Sequence, residues 1–331
     1  MPSLADESAL LRALDGLAAA GRYQEVLERL AGLPAGAAAS RTPIALHAAQ
    51  AHGRLGAYTE AERWAAAALA SARARGEQHA ELRGRHYQAA IALNRGQLDE
   101  AEQHFAAALE MARALHDPAA EARCFNNLGI IAFLRGDPKA ALASYQPALA
   151  AYQRAGLLRG LAETHHNIGI SRRHLGDFHH ALAAAEQAVR LSQQVKDDSL
   201  VGLVLTGRAE IHLAMGDGAL AEAELQAAER AYRGVQFSSG LAEVWRVRAG
   251  VARAQGDLAG AVRLLRQAAE LAATQGTAEV LSATERDLGT ALEAAGDRAG
   301  ARAAWERALA IYQRLGAAEE IAGLAALLQR V

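Results

Sequence analysis

The sequence is poor in the residues that build sheets, disulfides and cysteine metal sites. Aromatic residues make up only 5% of its 331 residues, prolines number six, and Cys124 is the single cysteine. One cysteine excludes an intramolecular disulfide and a cysteine-based metal knuckle. Runs rich in Val and Ile, which a parallel sheet needs to bury both of its faces, are absent too. An enzyme fold built on a parallel sheet is therefore not expected.

The chain also lacks a large excess of charge and long apolar runs. Its 35 basic and 37 acidic residues give a formal net charge of −2, which offers no general attraction to nucleic acid or to an anionic membrane. No run of apolar residues is long enough to predict a transmembrane helix. The first residues include Asp6 and Glu7 and no basic segment, so we expect no signal peptide and a cytoplasmic protein.

Alanine is what the chain has in abundance, at roughly a quarter of all residues. Alanine has the highest helix propensity, whereas the residues that favour strands are scarce here. The 30 glycines and few prolines fit many short helices that end at glycine. The composition therefore predicts an all-α fold.

A forty-residue internal repeat organises most of the sequence. Seven glycines recur at this spacing, namely Gly56, Gly96, Gly136, Gly176, Gly216, Gly256 and Gly296. Alanine stands five residues after each of them, at Ala61, Ala101, Ala141, Ala181, Ala221, Ala261 and Ala301. It also stands twelve residues after each, at Ala68, Ala108, Ala148, Ala188, Ala228, Ala268 and Ala308.

Each repeat is predicted to fold as two antiparallel helices. Around Gly136, Asp117 and Pro118 are typical of the start of a first helix, which glycine ends in the left-handed conformation. Asp137 and Pro138 then start a second helix. The small alanines allow the two helices to approach closely. Because such a pair cannot bury both faces alone, it must stack on its neighbours.

This pattern resembles the tetratricopeptide repeat, and the matching residues are Phe125-Asn126-Asn127-Leu128-Gly129, Gly136-Asp137, Ala141, Tyr145 and Ala148. The standard repeat has about 34 residues. The forty-residue form is similar to the repeats of kinesin light chain, of cell-polarity adaptors and of bacterial regulators of the maltose-activator and peptide-pheromone type. The resemblance implies a right-handed superhelical solenoid of helix hairpins.

We divide the chain into three parts on this basis. Residues 1–33 are predicted to form an N-terminal capping hairpin, followed by a flexible connection that reaches Ser40. Residues 42–316 hold the seven repeats, and residues 317–331 form a C-terminal capping helix.

Sequence motifs for catalysis are absent. The chain has no glycine-rich phosphate loop, no Gly-x-Ser-x-Gly and no His-Glu-x-x-His, so neither an enzyme nor a cofactor is predicted. Cys124 is interpreted as a small buried helix residue rather than a nucleophile. Five histidines cluster in one repeat and are interpreted as partly solvated helix residues rather than a metal site, namely His165, His166, His174, His179 and His180.

Function in such a solenoid is expected on the concave surface, which the first helix of each repeat lines. The register relative to the turn glycines selects a polar and rather basic set of candidate binding residues: His86, Tyr87, Asn94, Arg123, Asn126, Asn127, Ile130, His166, Asn167, Ile170, Arg173, Arg246 and Arg253. Glu163, Glu210, Arg286 and Asp287 belong to the same register. No residue is assigned to catalysis or to a metal.

Asn127 and Asn167 are the central pair of this set, because they occupy the same place in consecutive repeats. An asparagine side chain both donates and accepts hydrogen bonds, so it can hold an extended peptide backbone. In the resembled family asparagines at this place grip bound peptides, and basic residues nearby hold a carboxylate. Arg123 and Arg173 are the corresponding cationic candidates here.

The main hypothesis is a non-enzymatic adaptor or scaffold that binds a peptide or extended segment of another protein, with no nucleic acid or membrane partner. A regulator that senses a peptide or small ligand and acts on a separate effector is the first alternative. A self-assembling structural homo-oligomer is the second.

Overall fold

The computed structural model describes residues 4–19, 22–33, 41–235, 237–275, 278–315 and 317–330. Within these ranges all regular secondary structure is helical, as predicted for an all-α fold. The helices are α1 Leu4–Ala19, α2 Tyr23–Ala31, α3 Thr42–Arg54, α4 Tyr58–Arg75, α5 Gln78–Asn94, α6 Leu98–Ala114, α7 Pro118–Leu134, α8 Pro138–Ala155, α9 Leu158–His174, α10 Phe178–Val195, α11 Asp198–Ala214, α12 Gly218–Gly234, α13 Ser238–Ala254, α14 Leu258–Gln275, α15 Ala278–Ala294, α16 Arg298–Leu315 and α17 Ala318–Leu328.

The chain divides into two compact units, which we call the N-terminal unit, Met1–Asn127, and the C-terminal unit, Leu128–Val331. The boundary falls inside α7. The predicted connection at 34–40 and the predicted repeat boundary at Gly316 lie outside the described residues. The division into caps and seven repeats stays a prediction, although the helices from α3 to α16 follow its forty-residue spacing.

Glycine ends the first helix of each pair. All seven turn glycines have φ between +72° and +88°, a conformation that other residues adopt only with strain. Five of these glycines are followed by an aspartate that caps the next helix; Asp137, for example, accepts a hydrogen bond from the backbone N–H of Ala140 at 2.9 Å, and Asp217 from that of Leu220 at 3.0 Å. The predicted turn chemistry is confirmed.

The recurring alanines form the interior of the helix pairs. All fourteen alanines of the repeat pattern are fully buried, at 0% exposure. A methyl group at these positions leaves room for the backbone of the partner helix, which explains why no larger residue replaces it. Larger side chains fill the remaining core, including Phe105 in the N-terminal unit and Tyr145, Tyr232 and Trp305 in the C-terminal unit.

In the C-terminal unit, large aromatic rings pack against glycines of the neighbouring first helix. A Cβ atom at Gly129 would overlap the ring of Tyr145, and one at Gly289 would overlap the indole of Trp305. The Trp305 indole N–H also donates to the backbone carbonyl of Arg286 at 3.1 Å. Only glycine at these positions leaves space for the aromatic ring, so the packing of the two helices needs both residues.

No helix in the described part of the chain is long and apolar enough to cross a lipid bilayer.

Candidate functional site

The C-terminal unit contains a cavity of about 620 Å³ walled mainly by the first helices of four consecutive repeats. Helices α9, α11, α13 and α15 each contribute to it, and α14 adds one leucine. The lining residues are Arg173, Glu210, Leu213, Ala214, Arg246, Val247, Ala249, Gly250, Arg253, Ala254, Leu265, Arg286, Asp287 and Thr290. The cavity thus combines four arginines and two carboxylates with an apolar strip.

Arg246 is the centre of an ion-pair network in this wall. Its guanidinium, only 12% exposed, donates to Glu210 at 2.6 Å and to Asp287 at 2.8 Å. It also donates to Glu243, one turn away on α13, at 2.5 Å. Burial by itself would lower the pKa of Arg246, but these carboxylates outweigh that effect and raise the pKa well above its ordinary value. Arg246 is therefore a fixed positive charge.

Glu210 is shared between two arginines of neighbouring helices. Its second carboxylate oxygen lies 3.4 Å from the guanidinium of Arg173 on α9, while its first accepts from Arg246 on α13. Burial would raise the pKa of Glu210, but the two arginines outweigh it and lower the pKa. Glu210 is therefore ionised at neutral pH, and its charge is divided between two cations.

The other arginines of the wall have fewer partners. The Nε atom of Arg173 is buried and has no hydrogen-bond acceptor among the described residues. Arg286 pairs only with its chain neighbour Asp287, at 3.1 Å. Arg253 is exposed at the cavity and forms no ion pair with any described residue. Arg253 therefore presents accessible donors at the cavity, whereas the unpaired Nε of Arg173 is closed to solvent.

The apolar strip of the cavity depends on small residues. A Cβ atom at Gly250 would lie 2.8 Å from Cδ2 of Leu213, so glycine lets the leucine of α11 lie against the backbone of α13. Ala214, Ala249 and Ala254 leave the rest of the space open. Larger residues at these positions would fill the cavity.

His166 on α9 lies next to the same network. A Cβ atom at Gly207 of α11 would be 2.5 Å from Cε1 of His166, so the imidazole occupies the space above that glycine. Burial lowers the pKa of His166 to about 4, the carboxylate of Glu210 opposes this shift, and Arg173 adds to it. His166 is therefore neutral at physiological pH.

Family models of the tetratricopeptide repeat match residues 82–154, 162–195 and 286–315. The chain carries tetratricopeptide repeats. The turn glycines, the buried alanines and the paired helices described above are the structural features of these TPR hairpins. No curated protein sequence is significantly similar to the chain.

Solved structures share the TPR fold at low sequence identity. A Rap protein complexed with Competence and Sporulation Factor is 14% identical, with a TM-score of 0.64, and the match covers 99% of this chain and 95% of that one. Aspartyl phosphate phosphatase F from Bacillus subtilis is 16% identical, with a TM-score of 0.61 and coverages of 80% and 68%. NprR in complex with its cognate peptide NprX is 14% identical, with a TM-score of 0.58 and coverages of 84% and 80%. The fold class is therefore an all-α TPR solenoid.

The predicted binding residues of the C-terminal unit fall into two groups. Arg173, Arg246 and Arg253 line the cavity together, and Glu210, Arg286 and Asp287 of the same TPR register line it as well. The other predicted residues are partly buried first-helix residues that do not line it: His166, Asn167 and Ile170 on α9, and Ile130 on α7, which packs against the core around Tyr145. Glu163 pairs with Arg159 at 2.9 Å.

The predicted residues of the N-terminal unit make contacts within that unit. The Asn127 side-chain amide donates to the backbone carbonyl of Arg123 at 2.9 Å, in its own TPR helix. The ring of His86 lies edge-on to Phe105, with centroids 5.3 Å apart, and Tyr87 packs on the alanine core around Ala61. Arg123 is partly buried and Asn94 is exposed.

Asn126 requires a correction. It is only 9% exposed, so its side chain is buried rather than presented on the surface of the groove. Its neighbour in sequence, Asn127, is partly buried. The two adjacent asparagines therefore point in different directions on the helix, and only one of them is accessible to a ligand.

Sequence reasoning missed the apolar part of the cavity. Leu213, Val247 and Gly250 occupy the same TPR register as the predicted polar residues, at three, nine and six residues before a turn glycine. The register therefore contained the signal, but the predicted set included few apolar residues, such as Ile130 and Ile170, and none of these three.

Cys124 and two of the clustered histidines make packing or helix-capping contacts instead of forming a reactive site. Cys124 is fully buried, and burial raises the pKa of its thiol to about 12. Among the clustered histidines, His174 stacks edge-on with Phe133 at 4.8 Å, and His180 lies 2.8 Å from Asp177 at a helix start. Among the described residues, no group of three or more His, Cys, Asp or Glu side chains could hold a metal ion.

Proposed function

We propose that this TPR chain is a non-enzymatic interaction protein that binds a peptide or an extended segment of a partner protein in the cavity of its C-terminal unit. The observation that carries the proposal is the cavity itself, because four consecutive first helices contribute polar side chains beside an apolar strip. Ligand sites combine these two features. NprR, which shares the fold, was solved with a cognate peptide, and this supports a peptide as the ligand class.

The proposal moves the centre of the predicted groove. Asn127 already uses its amide in a bond to its own helix, whereas Arg253 is exposed at the cavity and forms no ion pair with any described residue. We therefore place the ligand along α9 to α15, with Asn167 and Ile170 as candidate contacts at the α9 end. The inaccessible, protonated thiol of Cys124 argues against a cysteine nucleophile.

The test is peptide capture by the full chain. The purified protein is mixed with a pool of random hexapeptides and separated by size exclusion, and the retained peptides are identified by mass spectrometry. Labelled copies are then titrated by fluorescence anisotropy.

Two tryptophan variants locate the site. Ala254→Trp adds a large ring at the exposed rim of the cavity and is expected to abolish binding. Gln255→Trp, the next residue along, lies outside the cavity lining and is the matched control, with binding retained. Failure to retain any peptide, or equal binding by both variants, would contradict the proposal.

A ligand-sensing regulator is the second candidate, and the Arg246 network favours it. The ion pairs of Arg246 join α13 to α11 and α15, so they connect three consecutive repeats. A ligand that competes for these carboxylates or for Arg246 would change how the three helices pack. X-ray scattering with and without a captured peptide tests this: a change in the radius of gyration supports a regulator, and an unchanged value supports a passive adaptor.

Homo-oligomerisation also stays a prediction. Light scattering across a range of protein concentrations would reveal it as a mass above that of the 331-residue chain.

A further inference from the structure

One position of the repeat register opens the cavity. The residue six positions before the turn glycine lies in the first helix of each repeat, and in α13 it is Gly250. At the equivalent position of α11, the carboxylate of Glu210 contacts Arg173 of the preceding repeat at 3.4 Å. Gly250 offers no side chain to Leu213, which is the residue equivalent to Arg173, and both line the cavity. The other repeats carry a side chain here: Gln50, Ala90, Ile130, Ile170 and Thr290.

The packing around Gly250 does not demand glycine in the way that the aromatic rings do. A Cβ atom at Gly250 would meet the Cδ2 atom of Leu213 at 2.8 Å, and this atom is the free end of a side chain that can rotate. At Gly289 of the next repeat, by contrast, a Cβ atom would overlap the indole ring of Trp305, which is fully buried. Glycine inside a helix is destabilising relative to alanine. Gly250 therefore weakens α13 without a comparable packing requirement, and this indicates a role in the cavity.

The apolar side of the cavity, around Gly250, belongs to the hydrophobic core. Val247 and Ala249 on α13 and Leu265 on α14 line the cavity although each is at most 3% exposed. A polar or charged group placed against them would lose its hydration without gaining a hydrogen-bond partner from their side chains. An apolar group would exchange contacts with water for dispersion contacts with these residues. The space next to Gly250 therefore suits an apolar side chain.

We infer that Gly250 is a specificity-determining residue, which opens an apolar subsite for one aliphatic or aromatic side chain of the bound peptide. Leu213 and Leu265 line this subsite, and the missing side chain at Gly250 sets the size of the group that it admits. This inference rests on the proposed function and adds the chemical class of the residue that anchors the ligand.

Two hexapeptide pools test the chemical class. Both have acetylated and amidated ends and share the polar residues Ser, Asn, Gln, Lys and Glu; the first pool also contains Leu, Ile, Met and Phe, and the second has alanine in their place. The full chain is expected to retain peptides in size exclusion from the first pool only. In a retained peptide, alanine at the anchoring position should weaken binding by at least about tenfold in an anisotropy titration, since the buried apolar surface is lost.

A leucine at Gly250 would occupy the subsite. Gly250→Leu is expected to weaken binding of the retained peptide by at least about tenfold. It should lose much less affinity for the peptide with alanine at the anchoring position, because that peptide does not enter the subsite. Ala259→Leu is the matched control, since Ala259 is an exposed residue of α14 outside the cavity lining, and it should leave both affinities unchanged. Circular dichroism of both variants checks for equal helicity.

Gly250→Ala keeps the inference testable where the leucine variant does not fold. Its methyl group narrows the subsite and should weaken binding of the retained peptide. The melting temperature should stay unchanged or rise, since alanine favours the helix. A melting temperature clearly below that of the parent chain would show that packing requires this glycine, and it would overturn the role assigned to Gly250.

The outcomes distinguish this inference from the proposed function. Retention from the alanine pool at the level of the apolar pool, or an affinity unchanged by leucine at Gly250, would overturn the apolar subsite while leaving a peptide-binding protein in place. Retention of no peptide from either pool would overturn both.

Discussion

Polar residues of the first-helix TPR register make different contacts in the two units of the chain. In the N-terminal unit the polar first-helix residues are occupied locally, as in the bond from Asn127 to the Arg123 carbonyl at 2.9 Å. In the C-terminal unit Arg253 is exposed at a cavity and forms no ion pair with any described residue. A place in the first-helix register therefore does not by itself give a residue a binding role. A polar side chain becomes a binding group only when its neighbours leave it a donor or acceptor to spare.

The units also differ in how their glycines pack. In the C-terminal unit aromatic rings of the second helix pack directly against Gly129 and Gly289. In the N-terminal unit Gly53 has its nearest neighbour at an ordinary 3.9 Å, from the Cβ of Ala61. The C-terminal unit thus depends on glycine for tight packing, and Gly53 in the N-terminal unit does not.

The largest expected effect comes from breaking the Arg246 network. Arg246→Met leaves three carboxylates without their common partner and should lower the free energy of unfolding by about 3–5 kcal/mol. Arg253→Met is the matched control, because Arg253 is exposed and has no ion pair among the described residues; it should change stability by less than about 0.5 kcal/mol. Urea unfolding followed by circular dichroism measures both, and equal stabilities would show that the network does not hold the C-terminal unit together.

A glycine pair tests the packing difference. Gly129→Ala forces a Cβ into the ring of Tyr145 and should destabilise the protein by about 2–3 kcal/mol. Gly53→Ala has room for its Cβ and should be neutral or stabilise by up to about 1 kcal/mol, since alanine favours the helix. Thermal melts of the two variants against the parent protein give the comparison. An equal loss of stability in both variants would show that the two units do not differ in how their glycines pack.

Acid should destabilise the C-terminal unit through His166. Its pKa is about 4 in the folded chain and about 6.5 when unfolded, so the unfolded state binds more protons between these values. Stability should therefore fall as the pH is lowered from 6.5 toward 4, by at most about 1.4 kcal/mol per pH unit from this group.

Arg173 and Arg246 lower the pKa of Glu210, so this carboxylate favours its charged form and does not add to the acid sensitivity in the way that His166 does. His166→Gln, which cannot titrate, should show a shallower dependence in urea unfolding at stepped pH. Parallel curves for the two proteins would mean that other groups carry the acid sensitivity.

The smallest effects concern the two asparagines. Asn127→Ala removes one bond within its own helix and should change stability by less than about 0.5 kcal/mol, with peptide affinity unaffected. Asn167→Ala, at the same register in the C-terminal unit, should weaken binding of a captured hexapeptide in an anisotropy titration. A loss of affinity in the Asn127 variant would instead restore the groove centre expected from the sequence.

Local chemistry made much of this fold predictable from the sequence. The left-handed turns need glycine at Gly136 and its equivalents, and the close helix contacts need alanine at Ala141 and its equivalents. Because the turns and contacts recur in every repeat, these residues recur in the sequence every forty positions. The register of the first helices follows from the same period. Because of this, the sequence indicated that Arg173, Arg246 and Arg253 share one face of the repeat array.

Which side chains form ion pairs with one another could not be predicted in this way. Arg246 and Arg253 are arginines of one helix, seven residues apart, and the local sequence supplies only one of the three partners of Arg246, namely Glu243. The other two partners, Glu210 and Asp287, lie on neighbouring helices about forty residues away in the chain. The burial of Asn126 likewise depends on packing against other helices.

The sequence by itself determined the period, the helix ends and the small residues at helix contacts, because these obey short-range steric and hydrogen-bonding rules. Only the tertiary structure decided which charges neutralise one another, where a cavity stays open and which donors it leaves without an acceptor. Those properties arise from distances between separate helices, and electrostatic and desolvation energies depend steeply on such distances.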